Sequence, residues 1–266
     1  LSPPAHSLIS DYYPPEQRGT AMGIYSSGIQ FGVMLGFLLG GALQAWFGWR
    51  VAFVAVGLPG LVLALLVRFT LKEPPRGRFD AAPPPLAEGF AAALRRLWAI
   101  RPFRYVALAS GLHALVLYGH GHWSPPYLAR VFGMELSDIA FWLALTAVGP
   151  GMLGLWLSGV LADRLHRAGR SRILVPIVSI TLMIPFEIAY LLVDSGGAAI
   201  AIIAITHFLG GAYLAPVLAF AHGLVGPTLR ASASALVLLA LNLIGLGIGP
   251  FLVGVASDAF APAYGA

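Results

Sequence analysis

The feature that most constrains this chain is a series of long apolar segments, interrupted only by glycine, proline and occasional polar residues. An apolar stretch of about 20 residues crosses the hydrocarbon core of a bilayer as a helix. The segments lack the alternation of barrel strands, and helices satisfy their own backbone polar groups in lipid. The sequence therefore predicts an all-α, polytopic membrane protein. We expect a partial span at 1–13 and seven full spans at 19–46, 49–71, 103–131, 138–162, 172–193, 197–224 and 229–257.

The composition excludes several classes of protein. The chain is 58% hydrophobic and 10% charged, with a mean hydropathy of +0.83. A soluble domain of 266 residues could not bury so much apolar surface, so lipid must cover much of it. The absence of cysteine excludes disulfides and thiolate metal sites. The chain begins at Leu1 without a signal-peptide pattern, so we expect a fragment of a longer protein.

Basic residues are concentrated on one side of the predicted spans. If the helices alternate in direction, fourteen of the sixteen lysines and arginines share one face, and only Arg50 and Arg130 lie opposite. This asymmetry predicts that the connections 72–102 and 163–172 are cytoplasmic. We expect an integral protein of a bacterial inner (plasma) membrane. The net charge of +5 then reflects topology and anionic membrane lipid, and no nucleic-acid partner is expected.

The basic connection after the second full span contains the candidate domain boundary. Glu-Pro-Pro at 73–75 ends a helix, and three prolines at 83–85 extend the chain. Apolar residues at helical spacing over 86–100 predict an amphipathic helix on the inner membrane surface, with an unstructured linker as the alternative. The predicted units are the C-terminal part of one helix bundle at 1–71, a cytoplasmic linker at 72–102 and a second bundle at 103–266.

An internal repeat indicates two related halves. Pro-x-x-Arg precedes the span at 19–46, ending at Arg18, and again precedes the span at 229–257, ending at Arg230. An offset of 212 residues superimposes these arginines and also pairs the mid-span amides of Gln30 and Asn242. Transporters built from pseudo-symmetric halves show this pattern.

Several passages resemble the major facilitator superfamily, most of all its spinster-like branch and the neighbouring anion:cation symporters. They are Pro-Ala-His-Ser-Leu-Ile-Ser-Asp-Tyr-Tyr-Pro at 4–14, Arg-Gly-Thr-Ala-Met-Gly at 18–23, Phe-Gly-Trp-Arg at 47–50 and Glu-Pro-Pro-Arg-Gly at 73–77. Residues 159–172 resemble the cytoplasmic loop signature of the family, and 249–258 resemble its eleventh span. The resemblance implies a partial twelve-helix bundle of two pseudo-symmetric halves, from about the fourth helix to the eleventh.

The function implied by the resemblance is secondary active transport of a small organic solute or amphiphile by alternating access. The coupling would be that of a symporter, with protons as a candidate coupling ion, and the protein would be monomeric. A facilitated lysolipid carrier without ion coupling is the alternative. A membrane-embedded enzyme is the alternative from another class, but no nucleophile–base or metal-ligand pattern supports it. We therefore expect a protein that is not an enzyme, with no cofactor and no metal.

The resemblance implies that Asp163 belongs to a conformational latch. A carboxylate at the N-terminus of another helix gains about 0.3–1 kcal/mol when exposed and up to ~2 kcal/mol when partly buried. The implied partner is the start of the 19–46 span near Arg18, and the contact would open as the halves rock. Gly159, Arg164 and Arg167 complete the signature. The alternative is an ordinary solvated loop acid.

Glycines recur at every fourth position of the span 19–46 and form one smooth helix face, which favours close helix packing. They are Gly28, Gly32, Gly36 and Gly40. Gln30 points about 140° from the middle of that face, and because a polar group is costly in lipid it should face the bundle interior. We predict that Gln30 and its counterpart Asn242 line the substrate cavity, with an interhelical hydrogen bond as the alternative for Gln30.

The span 103–131 is the richest in polar side chains. Tyr118 and His122 lie one turn apart on one face, and Trp123 is adjacent. The resemblance places this span at the central cavity, so these residues are candidate substrate contacts; an aromatic belt at the membrane interface is the alternative. The resemblance also makes His207 a cavity candidate, because its span corresponds to an inner helix.

Glu187 lies well inside the predicted span 172–193, just after Pro185. An isolated carboxylate in hydrocarbon is either protonated or paired with another group. Glu187 is therefore the candidate for proton coupling, with a structural hydrogen bond as the alternative.

Overall fold

The computed structural model describes residues 2–75, 79 and 89–264, and no β-strand occurs among them. The all-α prediction is confirmed. The helices are α1 (Ser2–Tyr12), α2 (Arg18–Thr70), α3 (Phe90–Ala99), α4 (Arg101–Phe132), α5 (Leu136–Thr146), α6 (Met152–Arg167), α7 (Leu174–Tyr190), α8 (Gly196–Gly211), α9 (Leu214–Gly223), α10 (Arg230–Ala240) and α11 (Gly247–Tyr264). Short 3₁₀ turns, Pro15–Gln17 and Pro227–Leu229, precede α2 and α10.

Four helical stretches of the described residues are long and apolar enough to cross a membrane. They are Trp46–Thr70, Asp138–Arg167, Gly196–Gly223 and Pro227–Phe260. Helix α7 is apolar but shorter, with 17 residues. Helix α4 has 32 residues, but its histidines and other polar side chains lower its mean hydropathy. Length and hydropathy therefore identify four of the seven predicted full spans: α4 and α7 depart from the simple pattern, and many side chains of the predicted span 19–46 lie outside the described residues.

Local breaks separate helices that are continuous in the hydropathy pattern. Gly48 divides α2 with φ of 79° and ψ of 165°, a conformation that glycine adopts without steric cost. A π-helical segment, Ala147–Gly151, joins α5 to α6 around Pro150, which has no N–H to donate to the regular ladder. A second π-helical segment, Leu241–Leu246, joins α10 to α11. By contrast, α4 continues through Pro125 and Pro126, where the sequence predicts a break or bend.

The helices before and after the linker pack against each other. Helix α2 lies against α6 and α9, and α1 lies against α10. Within the later part of the chain, α4 packs on α11 and on the π-helical segment before it, while α8 packs on α7. The larger buried cluster includes Met22 of α2 together with Phe103, Leu218 and Val237. The apolar core therefore joins the two predicted halves.

Much of the remaining apolar surface is exposed. Only 6% of the most apolar window of Trp46–Thr70 is buried, as in a helix surrounded by lipid. Helix α3 lies within the predicted linker and buries Ala93 and Leu97, while Arg95 and Trp98 face outward. Residues 76–78 and 80–88 of that linker are outside the described residues.

Candidate functional site

The side chain of Asp163, near the end of α6, lies at the N-terminus of α2. Its Oδ1 accepts a hydrogen bond from the Gly19 amide at 3.0 Å, and its Oδ2 accepts from the Thr20 amide at 2.7 Å and the Thr20 hydroxyl at 2.8 Å. The first amides of a helix have no partner within the helix, and the helix dipole adds attraction for an anion. Asp163 is buried, so this carboxylate supplies what the helix end lacks.

Close backbone approach brings α6 to this helix end. A Cβ at Gly159 would lie 2.5 Å from the carbonyl oxygen of Gly19, and a Cβ at Gly19 would lie 2.8 Å from Asp163 Oδ1. Any larger residue at either position would therefore push the helices apart. The structure thus places two members of the predicted latch, Gly159 and Asp163, directly against the start of α2.

The arginines of the predicted latch have different surroundings. Arg167 Nε donates to the Asp163 carbonyl oxygen at 3.4 Å, whereas Arg164 is exposed. Arg18 is buried and donates to the carbonyl oxygens of Ser10 and Tyr13 at 2.9 and 3.2 Å, which ties α1 to α2.

Arg172 is a contact of Asp163 that the sequence pattern does not single out. Its Nη2 lies 3.5 Å from Asp163 Oδ1 and donates to the Pro15 carbonyl oxygen. Burial lowers the pKa of the Arg172 guanidinium from its ordinary value, and Asp163 opposes that shift. Four arginines follow one another in this loop, and sequence spacing alone does not show which one turns inward.

A second contact joins the two halves nearby. Arg230 at the start of α10 lies 3.3 Å from Asp11 of α1, and both side chains are buried. Ser10 of the same helix contacts His222 at the end of α9. We call this side of the molecule the arginine-rich face, defined by Arg18, Arg164, Arg167, Arg170, Arg172 and Arg230.

Three of the predicted cavity residues, His122, Trp123 and Asn242, each contact a backbone carbonyl group. His122 is exposed and its Nδ1 lies 2.9 Å from the Tyr118 carbonyl oxygen, while Trp123 Nε1 donates to the Pro250 carbonyl oxygen at 3.0 Å. Asn242 is exposed and its Nδ2 donates to the Leu238 carbonyl oxygen at 2.7 Å. The side chain of Gln30 lies outside the described residues.

His207 is placed in the interior of the second half. Its Nδ1 lies 3.0 Å from the Thr146 hydroxyl, which also donates to the Leu143 carbonyl oxygen at 3.1 Å. Because the hydroxyl proton is directed to Leu143, the imidazole is best placed as the donor to Thr146. This contact ties α8 to the end of α5.

Glu187 of α7 is paired with a histidine of α4. Glu187 Oε2 lies 2.8 Å from His120 Nδ1, and the ring of His120 contacts that of Tyr190 at a centroid distance of 4.8 Å and an interplanar angle of 49°. These residues line an open, mainly apolar groove of about 870 Å³ between α4, α7 and α11, which Trp123 and Arg130 also line. The sequence marks Glu187 as a candidate but does not show that His120 is its partner, because that pairing depends on which spans are adjacent.

The predicted glycine face lies partly within the described part of α2. Gly28 and Gly32 are exposed, and a Cβ at either position would meet no atom within 4 Å. The surroundings of Gly36 and Gly40 are outside the described residues. Close glycine contacts occur elsewhere: a Cβ at Gly249 would lie 2.5 Å from the Leu115 carbonyl oxygen, and Gly154 faces the backbone of Phe208.

Comparison with known proteins finds a matching family profile and related transport proteins. A family profile described as Major Facilitator Superfamily matches residues 1–250. An MFS-type efflux pump of Mycolicibacterium smegmatis is 31% identical over 269 residues, covering 100% of this chain and 61% of that protein. A cis,cis-muconate transport protein of Acinetobacter baylyi is 29% identical over 168 residues, covering 61% of this chain and 40% of that protein.

A solved structure also matches. It is the crystal structure of a bacterial homolog to the human lysosomal transporter Spinster in an inward-facing and occupied conformation, with a TM-score of 0.62 and 30% sequence identity. The match covers 98% of this chain and 60% of that one. The chain thus spans about three fifths of the length of the efflux pump and of the solved bacterial homolog.

Proposed function

This chain belongs to the Major Facilitator Superfamily, and from that premise we propose that it forms part of a secondary active transporter that carries a small organic solute or amphiphile by alternating access. Alternating access requires two helix bundles that separate and rejoin at one face of the membrane. The units 1–71 and 103–266, with the linker 72–102 between them, are the proposed bundles.

The observation that carries this proposal is the position of the Asp163 carboxylate at the N-terminus of α2. The three hydrogen bonds connect one proposed bundle to the other, because Asp163 lies in α6 and its partners Gly19 and Thr20 lie in α2. A carboxylate–helix contact of this kind is worth up to about 2 kcal/mol when partly buried, which is strong enough to hold a closed state and weak enough to release it. We therefore propose that Asp163, Gly159 and Arg172 latch the arginine-rich face.

The arginine-rich face is the proposed cytoplasmic side. Its support is the excess of arginine in the connections on that side, as the positive-inside rule requires of short loops. Helix α3 would then lie at the inner membrane surface, with Arg95 and Trp98 at the level of the lipid headgroups.

The substrate class is proposed from the relatives and from the polarity of the chain. One relative is named for cis,cis-muconate and one solved structure for Spinster. We propose a small organic acid or an amphiphile, with a facilitated lysolipid carrier as the alternative. Trp123 and His207, and with them Tyr118, His122, Gln30 and Asn242, remain the proposed cavity residues.

Proton coupling is proposed for the Glu187–His120 pair. Glu187 Oε2 and His120 Nδ1 are 2.8 Å apart, which is close enough for a proton to pass directly between the two side chains. The contact between the two titratable side chains on an apolar surface supports assigning the pair to coupling, although both are partly exposed; a purely structural ion pair between α4 and α7 is the alternative.

The test uses the complete protein in proteoliposomes with a pH-sensitive dye inside. Under an imposed proton gradient, an organic acid or lysolipid that is a substrate should change the internal pH. In Glu187→Gln, substrate uptake driven by the gradient should be lost, while downhill exchange of labelled substrate continues. Glu135→Gln, at an exposed acid before α5, is the matched control and should behave as the wild type.

Uptake that is indifferent to the proton gradient in the wild type would favour the facilitated carrier. Gradient-driven uptake that survives in Glu187→Gln would assign the pair a structural role. No movement of any organic acid or lysolipid across the membrane would contradict the transport proposal itself.

A further inference from the structure

A hydrogen-bonded chain of three buried side chains crosses between the two proposed bundles at the arginine-rich face. Ser10 Oγ of α1 lies 2.7 Å from His222 Nδ1 of α9, and His222 Nε2 lies 2.7 Å from Ser234 Oγ of α10. Each of these side chains is fully buried. We call Ser10, His222 and Ser234 the axial seam.

The axial seam lies on the pseudo-twofold axis of the molecule. Ser10 and His222 are separated by 212 residues, the same offset that superimposes Arg18 on Arg230. They therefore occupy equivalent positions in the two repeats. Equivalent positions that touch one another must lie at the axis that relates the repeats, so the seam is where the bundles meet at this face.

The hydrogen-bond directions favour a neutral imidazole. The Ser10 hydroxyl also faces the His6 carbonyl oxygen at 3.2 Å, to which it donates. With that proton committed, His222 Nδ1–H donates to Ser10 Oγ, and Nε2 accepts from the Ser234 hydroxyl. Every donor and acceptor of the ring is then satisfied. A second ring proton would turn Nε2 into a donor and force the Ser234 hydroxyl to turn away.

The surroundings oppose a positive charge on His222. The titratable and charged groups that face His222 are His6 of α1, Arg18 at the start of α2 and Arg230 at the start of α10. Arg230 forms an ion pair with Asp11 at 3.3 Å. Two of these groups are permanently cationic, and the site is shielded from water. A buried charge without a matched partner is costly, so protonation and a closed seam disfavour each other.

We propose that His222 is a proton-sensing residue that controls opening of the arginine-rich face. Neutral His222 makes the hydrogen bonds of the axial seam and so keeps the face closed. Protonated His222 needs hydration, and water reaches it only when the bundles separate. This proposal rests on the alternating-access function above, and it concerns a residue separate from the Glu187–His120 pair. Acidification on the side of the arginine-rich face should therefore favour the open state.

The test measures the separation of the bundles as a function of pH. Exposed Gln17 and Ser171 are replaced with cysteine and spin-labelled in the complete protein in nanodiscs; the 266 residues contain no cysteine, and any cysteine elsewhere in the complete protein is first replaced with serine. Distance distributions from pH 8 to pH 5 give the ratio of open to closed molecules. One proton taken up on opening predicts a ratio that rises by up to about tenfold per pH unit.

Three variants distinguish the seam from other titrating groups. His222→Gln introduces an amide that can donate and accept hydrogen bonds but does not titrate, so the pH dependence should vanish. His166→Gln removes a histidine from the same face, and the pH dependence should persist in that variant. Ser10→Ala leaves the imidazole but removes one partner, so the open fraction should rise by roughly tenfold at pH 8.

The proposal is overturned if His222→Gln retains the wild-type pH dependence, if the wild-type distribution does not respond to pH, or if Ser10→Ala leaves the distribution unchanged. Substrate exchange by His222→Gln at a single pH tests the transport function separately. Exchange without a pH-dependent opening would leave the transporter proposal standing and remove the role of His222.

Discussion

At the scale of single residues, Asp163 has more hydrogen bonds between the proposed bundles than any other residue that the structure describes. Both carboxylate oxygens are used, and Arg172 Nη2 lies 3.5 Å from the Oδ1 that accepts from Gly19. Asparagine has the same shape but no charge and only one acceptor oxygen. The contact thus depends on charge as well as on geometry.

Asp163→Asn should weaken the closed arrangement of the arginine-rich face by about 1–3 kcal/mol, since hydrogen bonds to charged groups are worth more than neutral ones. The measurement is the closed fraction between labels at Gln17 and Ser171. Arg164→Gln, at an exposed position of the same helix, should change it by less than about 0.5 kcal/mol. Equal effects of both substitutions would show that the loop charge, and not the helix contact, matters.

The sequence carries different amounts of information about these residues. Asp163 and Gly159 are predictable because their spacing matches a family signature, and the partner at the start of α2 follows from the resemblance. Arg172 is not predictable, since it is one of several arginines in one loop and only the fold turns it inward. His120 likewise becomes a partner of Glu187 only once α4 and α7 are adjacent.

At the scale of helices, glycine has two different environments in α2. Gly19 and Gly159 allow the backbones of α2 and α6 to touch, whereas Gly28 faces open space. Recurrence at every fourth position marks Gly28 and Gly32 in the sequence, but Gly159 of α6 contacts Gly19 at the start of α2, outside that repeat. Periodicity alone therefore does not locate the close approach.

Gly159→Ala should separate α2 from α6, because the new Cβ would lie 2.5 Å from a backbone oxygen that has little freedom to move. The expected cost is about 1–3 kcal/mol, as for other overpacked sites. Thermal unfolding of the purified protein in detergent would report it as a lower midpoint.

Gly28→Ala is the matched substitution in an open position. It should leave the midpoint unchanged or raise it slightly, because alanine is the better helix former. A midpoint that falls as far for Gly28→Ala as for Gly159→Ala would contradict the assignment of the close contact to Gly159.

At the scale of the whole molecule, Asp11 and Arg230 join the two proposed bundles through a buried ion pair at 3.3 Å. Loss of one partner of such a pair costs about 3–5 kcal/mol, because the other charge stays away from water. Asp11→Asn should therefore lower the unfolding midpoint far more than Glu135→Gln at an exposed site. The double variant Asp11→Asn with Arg230→Gln should recover part of the loss, and a strictly additive result would argue against a direct pair.

The overall architecture follows from the sequence better than the number of spans does. Long apolar segments identify helices, and the repeat of Arg18 in Arg230 identifies two halves. The hydropathy pattern does not show the π-helical segments or the continuity of α4 through Pro125 and Pro126. These features depend on neighbouring helices that re-satisfy the backbone, which a single segment does not reveal.

The polarity of α4 has a consequence for biogenesis. Residues 49–70 are apolar enough to leave the translocon for lipid unaided, whereas the histidines of α4 oppose that step. We therefore expect α4 to need α7, whose Glu187 pairs with His120, and α11, on which α4 packs, as synthesis proceeds. Integration of α4 would then be cooperative, and a nascent chain stalled before α11 would retain α4 at the insertion machinery and expose it to quality control.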